Sequence, residues 1–245
     1  TELMKVVYED NHLIIVYKES GEIVQGDKTG DCPLSETVKQ YIKEKYHKPG
    51  RVFLGVVHRL DRPVSGLVLF ARTSKALARL NAMFRDGKVH KTYWALTLNA
   101  PRQAEGQLTH WLVRNERQNK SYAYDHEVPG SKKAVLEYRV LTSPAFGVRR
   151  ADGSYSQGGS LPSPRYTLIE VRLLTGRHHQ IRCQLATMGC PIKGDLKYGA
   201  SRSNPDGSIS LLSHKMSFIH PVSHEEISVV SPLPDDPLWQ AMKEL

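Results

Sequence analysis

Two short apolar segments near the start of the chain are rich in β-branched and aromatic residues. They span residues 5–9 and 12–18 and are separated by Asp10 and Asn11, which are both favoured in turns. Apolar runs of this length, bounded by turn residues, are typical of buried strands. The pattern predicts a β-hairpin at the start of the chain.

Three other segments place apolar residues three or four positions apart, which is the spacing of one helix face. In the first of them, Leu34, Val38 and Ile42 follow a proline that favours helix initiation. The third is expected to end at Gly189. The predicted helices span residues 33–46, 74–84 and 179–189.

The remaining apolar runs are short and are bounded by turn residues, which predicts strands. These strands span residues 52–57, 66–72, 91–98, 107–113, 134–141, 165–174, 209–213 and 226–230. A Gly-, Ser- and Pro-rich stretch at 150–165 predicts a mobile loop. We predict an α+β fold in which helices pack on a mixed, mainly antiparallel sheet, and a single domain over residues 1–245.

Composition narrows the class of protein. The chain has 245 residues, of which 40% are hydrophobic, and it contains no apolar run long enough to span a membrane. Its first residues do not resemble a secretory signal, so we expect none. Its three cysteines form no C-x-x-C pair, which favours a reducing, cytoplasmic setting. Residues 1–50 carry 7 Lys and Arg against 9 Asp and Glu, whereas the rest carry 27 against 16. This basic majority favours a polyanionic partner such as nucleic acid, although a merely solubilising surface explains it equally well.

The stretch "GVVHRLDRPVSGLVLFAR" places one acid, Asp61, beside His58, Arg59 and Arg62 on a short loop between two apolar strands. A carboxylate in apolar surroundings is costly unless it is paired or hydrogen-bonded. A structural salt bridge with a neighbouring arginine is the simpler explanation. Three further stretches favour a catalytic one.

The first is "GRHHQIR" (176–182), where Arg182 lies in about the first turn of the predicted helix and could give a carboxylate a bidentate partner. The second is "KTYWA" (91–95), in which Tyr93 lies on a strand. The third is "GCPIKGDLKYG" (189–199), which alone would be a surface loop. The adjacent His178 and His179 suggest a metal site, but no other ligand is suitably spaced, so we predict none.

Taken in order, these motifs resemble the RluA-type pseudouridine synthases, which isomerise uridine to pseudouridine in RNA. The stretch "HRLDRPVSG" (58–66) is similar to the family signature H-R-L-D-x-x-T-S-G, and the other three stretches are similar to further motifs of the family. The resemblance covers nearly the whole chain. Two departures occur. Val64 replaces the usual Thr, and "YKESG" (17–21) replaces N-K-P-x-G, so we expect a looser early turn.

The resemblance implies a pseudouridine synthase-like fold with a central active-site cleft and no preceding S4-like domain. It implies that Asp61, Tyr93 and Arg182 are catalytic, with Arg182 keeping Asp61 ionised, and that Arg59 fills the space of a flipped base. Asp61 would either add to C1′ of the ribose or act as a base at C2′. The remaining residues expected to bind substrate are His58, Arg62, Arg177, His179 and Gln180. The implied partner is tRNA or rRNA, the protein is expected to be a monomer, and no metal or cofactor is implied.

Two other classes of function remain open at this point. An RNA-binding module could use the same fold without catalysis, although it would not need Asp61, Tyr93 and Arg182 together. A metal-dependent hydrolase could be built on His58, His178 and His179. Formation of pseudouridine in RNA distinguishes the first hypothesis from both alternatives.

Overall fold

A computed structural model describes residues 4–245 of the chain. Its contacts divide the chain into two compact units. The first contains the described residues up to Lys91 and the segment Ser213–Pro232, and the second contains Thr92–Leu212 and Leu233–Leu245. The single domain that the sequence predicts therefore stays a prediction, and each unit is described by itself.

The first unit is a sheet with two packed helices. Its elements are β1 (Lys5–Glu9), β2 (Leu13–Lys18), α1 (Leu34–Lys45), β3 (Gly55–Val56), β4 (Ser65–Ala71), α2 (Ser74–Arg85), β12 (Leu211–Ile219) and β13 (Glu226–Val230). The strand order is β1-β2-β4-β12, with β13 paired to β12 and β3 to β4. The predicted first hairpin is confirmed, since β1 and β2 pair antiparallel around residues 10–12.

Apolar side chains from β2, β4 and α2 form the core of this unit. Leu13, Ile15, Leu67 and Leu69 are fully buried there with Leu80 of α2. Full burial of one such side chain contributes about 1.5–3 kcal/mol. The packing of α2 therefore confirms the helix that the apolar spacing predicts over residues 74–84.

Local signals start both helices of the first unit. Pro33 precedes α1 with φ −75°, a value close to the helical one. The hydroxyl of Thr73 accepts a hydrogen bond from the backbone N–H of Ala76 at 3.1 Å and so caps α2. The predicted bounds of both helices agree with the structure to within one residue.

The glycine of the "VSG" motif has a packing reason. Gly66 has φ +125°, and a Cβ at this position would lie 2.3 Å from the backbone oxygen of Ser213. Only glycine allows the backbones of residues 66 and 213 to approach so closely.

The second unit is a longer sheet with one main helix. Its elements are β5 (His90–Thr97), β6 (Glu105–Asn115), β7 (Lys120–Tyr124), β8 (Lys132–Ser143), β9 (Gly147–Arg149), β10 (Tyr155–Ser156), β11 (Thr167–Leu173), α3 (Gln180–Thr187), a 3-10 turn (Leu196–Tyr198) and α4 (Pro237–Gln240). The strand order is β5-β11-β8-β6-β7, so β7 is an edge strand, and β9 pairs with both β8 and β10. The pairs along this order are antiparallel, and the predicted α+β class is confirmed.

The structure differs from the predicted elements in several places. Residues 52–54 are not part of a strand, β7 was not predicted, and β12 continues to Ile219 rather than ending at 213. The stretch 150–165 is not one irregular loop either, because β10 folds back on β9. The hydroxyl of Tyr155 donates to the backbone oxygen of Val140 at 2.6 Å, which anchors this small hairpin to β8.

No helix in the described part of the chain is both long and apolar enough to cross a membrane.

Candidate active site

A buried lysine anchors the backbone of the loop that carries Asp61. Lys18, the last residue of β2, has no exposed surface. Its Nζ donates hydrogen bonds to the backbone oxygens of Glu19 at 3.0 Å, Arg62 at 3.1 Å and Val64 at 2.6 Å. Two of these acceptors lie one and three residues after Asp61, so the ammonium fixes the backbone of the loop.

The loop is closed by two further backbone hydrogen bonds. The N–H of Val64 donates to the oxygen of Asp61 at 3.0 Å, and the N–H of Gly21 donates to the oxygen of Arg62 at 2.8 Å. The second bond joins the loop to the turn at 17–21. The sequence predicts a loose turn here, whereas this hydrogen bond ties the turn to the loop.

Burial lowers the pKa of Lys18 to about 8, while Glu22 and Asp61 act in the opposite direction. The charge of Asp61 is therefore felt by the lysine that supports its loop. Sequence reasoning missed this residue. Its signal was a lysine that ends a wholly apolar strand.

We predict a pH dependence of stability that Lys18→Met removes. The folded protein binds fewer protons than the unfolded chain between pH 8 and the ordinary lysine pKa of 10.5. The contribution of Lys18 to the free energy of unfolding therefore rises across this window, by about 3 kcal/mol in total. Urea unfolding at several pH values should show this rise in the wild type relative to Lys18→Met.

The matched control is Lys28→Met, because Lys28 is exposed in the same unit. It should keep the wild-type pH dependence. Parallel curves for the wild type and Lys18→Met from pH 7 to 10.5 would contradict the proposed burial of the charge.

His58 supports the loop in its neutral form. Its Nε2 accepts the backbone N–H of Leu69 at 2.9 Å, and its ring stacks on Phe84 with 5.0 Å between the ring centroids. Burial, with a smaller contribution from Lys91, lowers the pKa of His58 to about 3. The ring thus joins the loop to β4, and the predicted contact with substrate stays a prediction.

The two arginines beside Asp61 differ in their surroundings. Arg62 donates to the backbone oxygen of Gly21 and to the carboxylate of Asp31, both at 3.0 Å, and it also reaches Asp27 at 3.4 Å. Arg59 is exposed and makes no hydrogen bond or ion pair with any residue in the described range 4–245. Of the two, Arg59 is the one whose guanidinium is available to a ligand.

In the second unit, Arg182 is held by a carboxylate that the sequence analysis did not single out. Its Nε and Nη2 donate to the two oxygens of Asp195, each at 2.8 Å, and both side chains are buried. This bidentate pair fixes the plane of the guanidinium. The predicted pairing of Arg182 with Asp61 stays a prediction.

His179 completes the surroundings of Arg182. Its Nε2 lies 3.3 Å from Nη1 of Arg182, and its Nδ1 lies 2.8 Å from the hydroxyl of Tyr198. Burial, followed by the charge of Arg182, lowers the pKa of His179 to about 2. An arginine nitrogen can only donate, so Nε2 accepts and Nδ1 carries the proton. The neutral ring of His179 therefore lies between Arg182 and Tyr198 and contacts both.

The other residues predicted around this helix hold the turn before it. The side chain of Gln180 is buried and accepts the backbone N–H of Arg177 at 3.0 Å and the hydroxyl of Thr175 at 2.8 Å. The exposed Arg177 donates to the backbone oxygen of Lys133 at 2.9 Å. A direct role of Gln180 and Arg177 in binding substrate stays a prediction.

Tyr93 lies on β5 and is buried, opposite Val171 of β11. The period of two places Ala95 and Thr97 on its face of the strand, as the sequence predicts. Asp195 and Tyr198 both come from the "GCPIKGDLKYG" motif. Their signal was present in the sequence, but their contacts to Arg182 and His179 could not be read from it.

No group of three or more His, Cys, Asp or Glu side chains that could hold a metal ion occurs among residues 4–245. His178 stacks on His179 with 3.8 Å between ring centroids. Its Nδ1 lies 2.7 Å from the hydroxyl of Ser121 and its Nε2 lies 3.0 Å from the side-chain oxygen of Asn119. The histidine pair is thus engaged in contacts within the protein.

The chain is similar to known enzymes of RNA modification. A family model described as RNA pseudouridylate synthase matches residues 12–187. The ribosomal large subunit pseudouridine synthase D of Zymomonas mobilis is 29% identical over 243 residues, which cover 95% of this chain and 70% of that protein. The tRNA pseudouridine synthase C of Vibrio parahaemolyticus is 29% identical over 246 residues, which cover 98% of this chain and 93% of that protein.

A solved structure shares the fold. The human RNA pseudouridylate synthase domain containing 4 superposes with a TM-score of 0.74 at 20% identity, covering 98% of this chain and 93% of that one. The family match includes the loop of Asp61, the strand of Tyr93 and the helix of Arg182. The chain therefore belongs to the RNA pseudouridylate synthase family, and the RluA-type resemblance of its motifs is confirmed.

Proposed function

We propose that this RNA pseudouridine synthase isomerises specific uridines in structured tRNA or rRNA. The observation that carries the proposal is the family match over residues 12–187, which contains all three motifs with a predicted catalytic residue. The names of two relatives, one acting on the ribosomal large subunit and one on tRNA, support the two RNA classes.

We assign the central chemical role to Asp61. The reaction breaks the bond between N1 of uracil and C1′ of the ribose, forms a bond from C5 to C1′, and moves a proton from C5 to solvent while N1 gains one. A carboxylate can assist by adding to C1′ or by acting as a base at C2′. Support comes from the backbone of its loop, which Lys18 holds through three hydrogen bonds.

Tyr93 and Arg182 have separate roles in the proposal. Tyr93 stacks on the uracil and takes part in removing the proton from C5. Arg182 supplies a fixed positive charge, which favours the ionised form of a carboxylate. The bidentate contact with Asp195 supports this role, because it holds the guanidinium in one orientation.

Base flipping accompanies the reaction, because the reacting atoms are shielded inside a stacked helix. Extruding a base costs a few kcal/mol. Arg59 enters the vacated space, where its planar cation stacks on neighbouring bases. Its exposure supports this role.

The protein acts as a cytoplasmic monomer without metal or cofactor in this proposal. The isomerisation is redox-neutral and transfers no external group, so the side chains and water provide all the chemistry. The spacing of Cys32, Cys183 and Cys190, which form no C-x-x-C pair, supports a reducing compartment.

The test is release of tritium from RNA that carries [5-³H]uridine. Formation of the C5–C1′ bond releases the hydrogen of C5, so turnover on unmodified tRNA and rRNA transcripts should release tritium and leave chain length unchanged. A binding module would release none. A metal-dependent hydrolase would shorten the RNA and would lose activity on treatment with EDTA, which should leave the isomerase intact.

We predict that RNA binding weakens steeply with added salt. The Lys and Arg excess beyond residue 50 should contact phosphates and displace counterions. On single strands, the logarithm of the affinity should fall with the logarithm of salt with a slope of roughly −0.7 per phosphate contacted. Fluorescence anisotropy at KCl concentrations from about 50 to about 200 mM measures this slope. An affinity that stays constant over this range would contradict the electrostatic argument.

A further inference from the structure

Exposed aromatic rings and lysines lie together at the edge of the second unit, outside the three motifs with a predicted catalytic residue. Two of the rings, Tyr122 and Tyr124, are 39% and 41% exposed on the edge strand β7. Trp111 of β6 is half-buried and lies directly opposite Tyr124. We call the following set the aromatic strip: Trp111, Lys120, Tyr122, Tyr124 and Lys133.

The strip lies on the face of the sheet that does not carry α3. Leu112 and Ala123, which alternate with the strip residues along β6 and β7, pack with Cys183 of α3. Since successive side chains point to opposite faces, Trp111 and Tyr122 lie on the other face. These rings are therefore not part of the core that holds the helix.

Each lysine of the strip lies near a ring. Nζ of Lys133 is 6.0 Å from the centroid of Trp111, and Nζ of Lys120 is 5.2 Å from the centroid of Tyr122. The hydroxyl of Tyr122 donates to the side-chain oxygen of Gln118, which restrains this ring. Flat rings beside cations are the combination that stacks nucleic-acid bases and contacts phosphates.

Lys120 also joins the strip to the surroundings of Arg182. Its Nζ is 5.5 Å from the ring centroid of Tyr198, and Cζ of Arg182 is 5.1 Å from the same centroid. A single ammonium thus lies close to a ring of the strip and to a ring that contacts a predicted catalytic arginine. Lys120 therefore reaches around the edge strand β7, from the rings of the strip to the side of the sheet that carries α3.

We propose that the aromatic strip binds a single-stranded RNA segment next to the target uridine by stacking bases on Tyr122, Tyr124 and Trp111. This inference deepens the proposed function and rests on it for the source of the RNA. The local charge supports RNA over a protein partner, because residues 111–133 carry five Lys and Arg against three Asp and Glu. Single-stranded, unstacked bases are the part of RNA that aromatic side chains recognise.

The test compares leucine and phenylalanine variants of the strip. Tyr122→Leu with Tyr124→Leu removes both rings and leaves apolar side chains in their place, and Tyr122→Phe with Tyr124→Phe keeps the rings. For a fluorescein-labelled 12-nucleotide oligouridylate, the leucine pair should raise Kd at least about ten-fold, whereas the phenylalanine pair should stay within about two-fold of the wild type. The control Phe53→Leu, at a ring that is 45% exposed in the first unit, should have no effect.

Catalysis separates this proposal from the proposed function. On unmodified tRNA and rRNA transcripts, the leucine pair should raise KM and leave kcat at saturating RNA unchanged. A wild-type protein that releases no tritium from [5-³H]uridine would refute the proposed function, whatever the oligouridylate shows. If the wild type is active and the leucine pair binds oligouridylate with the same Kd, the proposed role of the aromatic strip is refuted and the proposed function is not.

A second set of variants covers the case in which the leucine pair fails to fold. Lys120→Gln and Lys133→Gln should each make the salt slope of oligouridylate binding shallower by roughly 0.7. Unchanged slopes in both variants would overturn the proposal. So would sedimentation that shows self-association of the wild type, lost in the leucine pair, while RNA binding stays the same.

Discussion

Asp61→Asn should abolish pseudouridine formation while RNA binding is retained. The substitution preserves the size of the side chain and removes its charge, so the residue can neither add to C1′ nor accept a proton at C2′. General bases alone typically contribute about 10²–10⁴-fold to rate, and we expect at least this loss in tritium release. The backbone contacts of Lys18 do not depend on the Asp61 side chain, so the loop should keep its conformation.

The matched control is Asp86→Asn, which changes an exposed aspartate at the end of α2 in the same unit. It should release tritium at the wild-type rate. RNA affinity, measured by anisotropy, should be the same within about two-fold for both variants and the wild type, because neither substitution removes a Lys or Arg side chain that could contact phosphates. A wild-type rate in Asp61→Asn would show that the catalytic assignment is wrong.

The elements of the fold were largely predictable because most of them carry a strong periodic signal. The helix α1 shows this well, since Leu34, Val38 and Ile42 are all buried on one face. The edge strand β7 was missed because "KSYAY" is short and half polar, and its pairing depends on β6 rather than on its own sequence. Gly- and Ser-rich composition similarly concealed β10, whose pairing with β9 places Tyr155 against β8.

The positions of the predicted site residues follow from their motifs, whereas the partners that fix them do not. Lys18 ends an apolar strand and would ordinarily reach solvent, yet it is buried because backbone oxygens more than forty residues away accept hydrogen bonds from its ammonium group. Asp195 was visible within a motif, but only folding brings its carboxylate onto Arg182. Contacts of this kind depend on which loops meet in space, and one sequence contains no periodic signal for them.

The pairing of Asp195 with Arg182 should be the strongest polar contribution to the stability of the second unit. Asp195→Ala removes the bidentate partner of a buried guanidinium, and breaking such a pair typically costs about 3–5 kcal/mol. Urea unfolding measures this loss. In the same unit, Glu137→Ala disrupts an exposed contact with Arg172 at 4.0 Å and should cost less than about 1 kcal/mol.

A double variant separates stability from catalysis at this pair. Asp195→Ala with Arg182→Met removes both charges and keeps an apolar side chain in place of the guanidinium, so it should be less destabilised than the sum of the single variants. Recovered stability should not restore tritium release, because the proposed role of Arg182 requires its charge. If the losses in free energy of unfolding of the two single variants add up to that of the double variant, the bidentate contact does not contribute to stability in solution. If the stable double variant forms pseudouridine at the wild-type rate, Arg182 is a structural residue and the catalytic role belongs elsewhere.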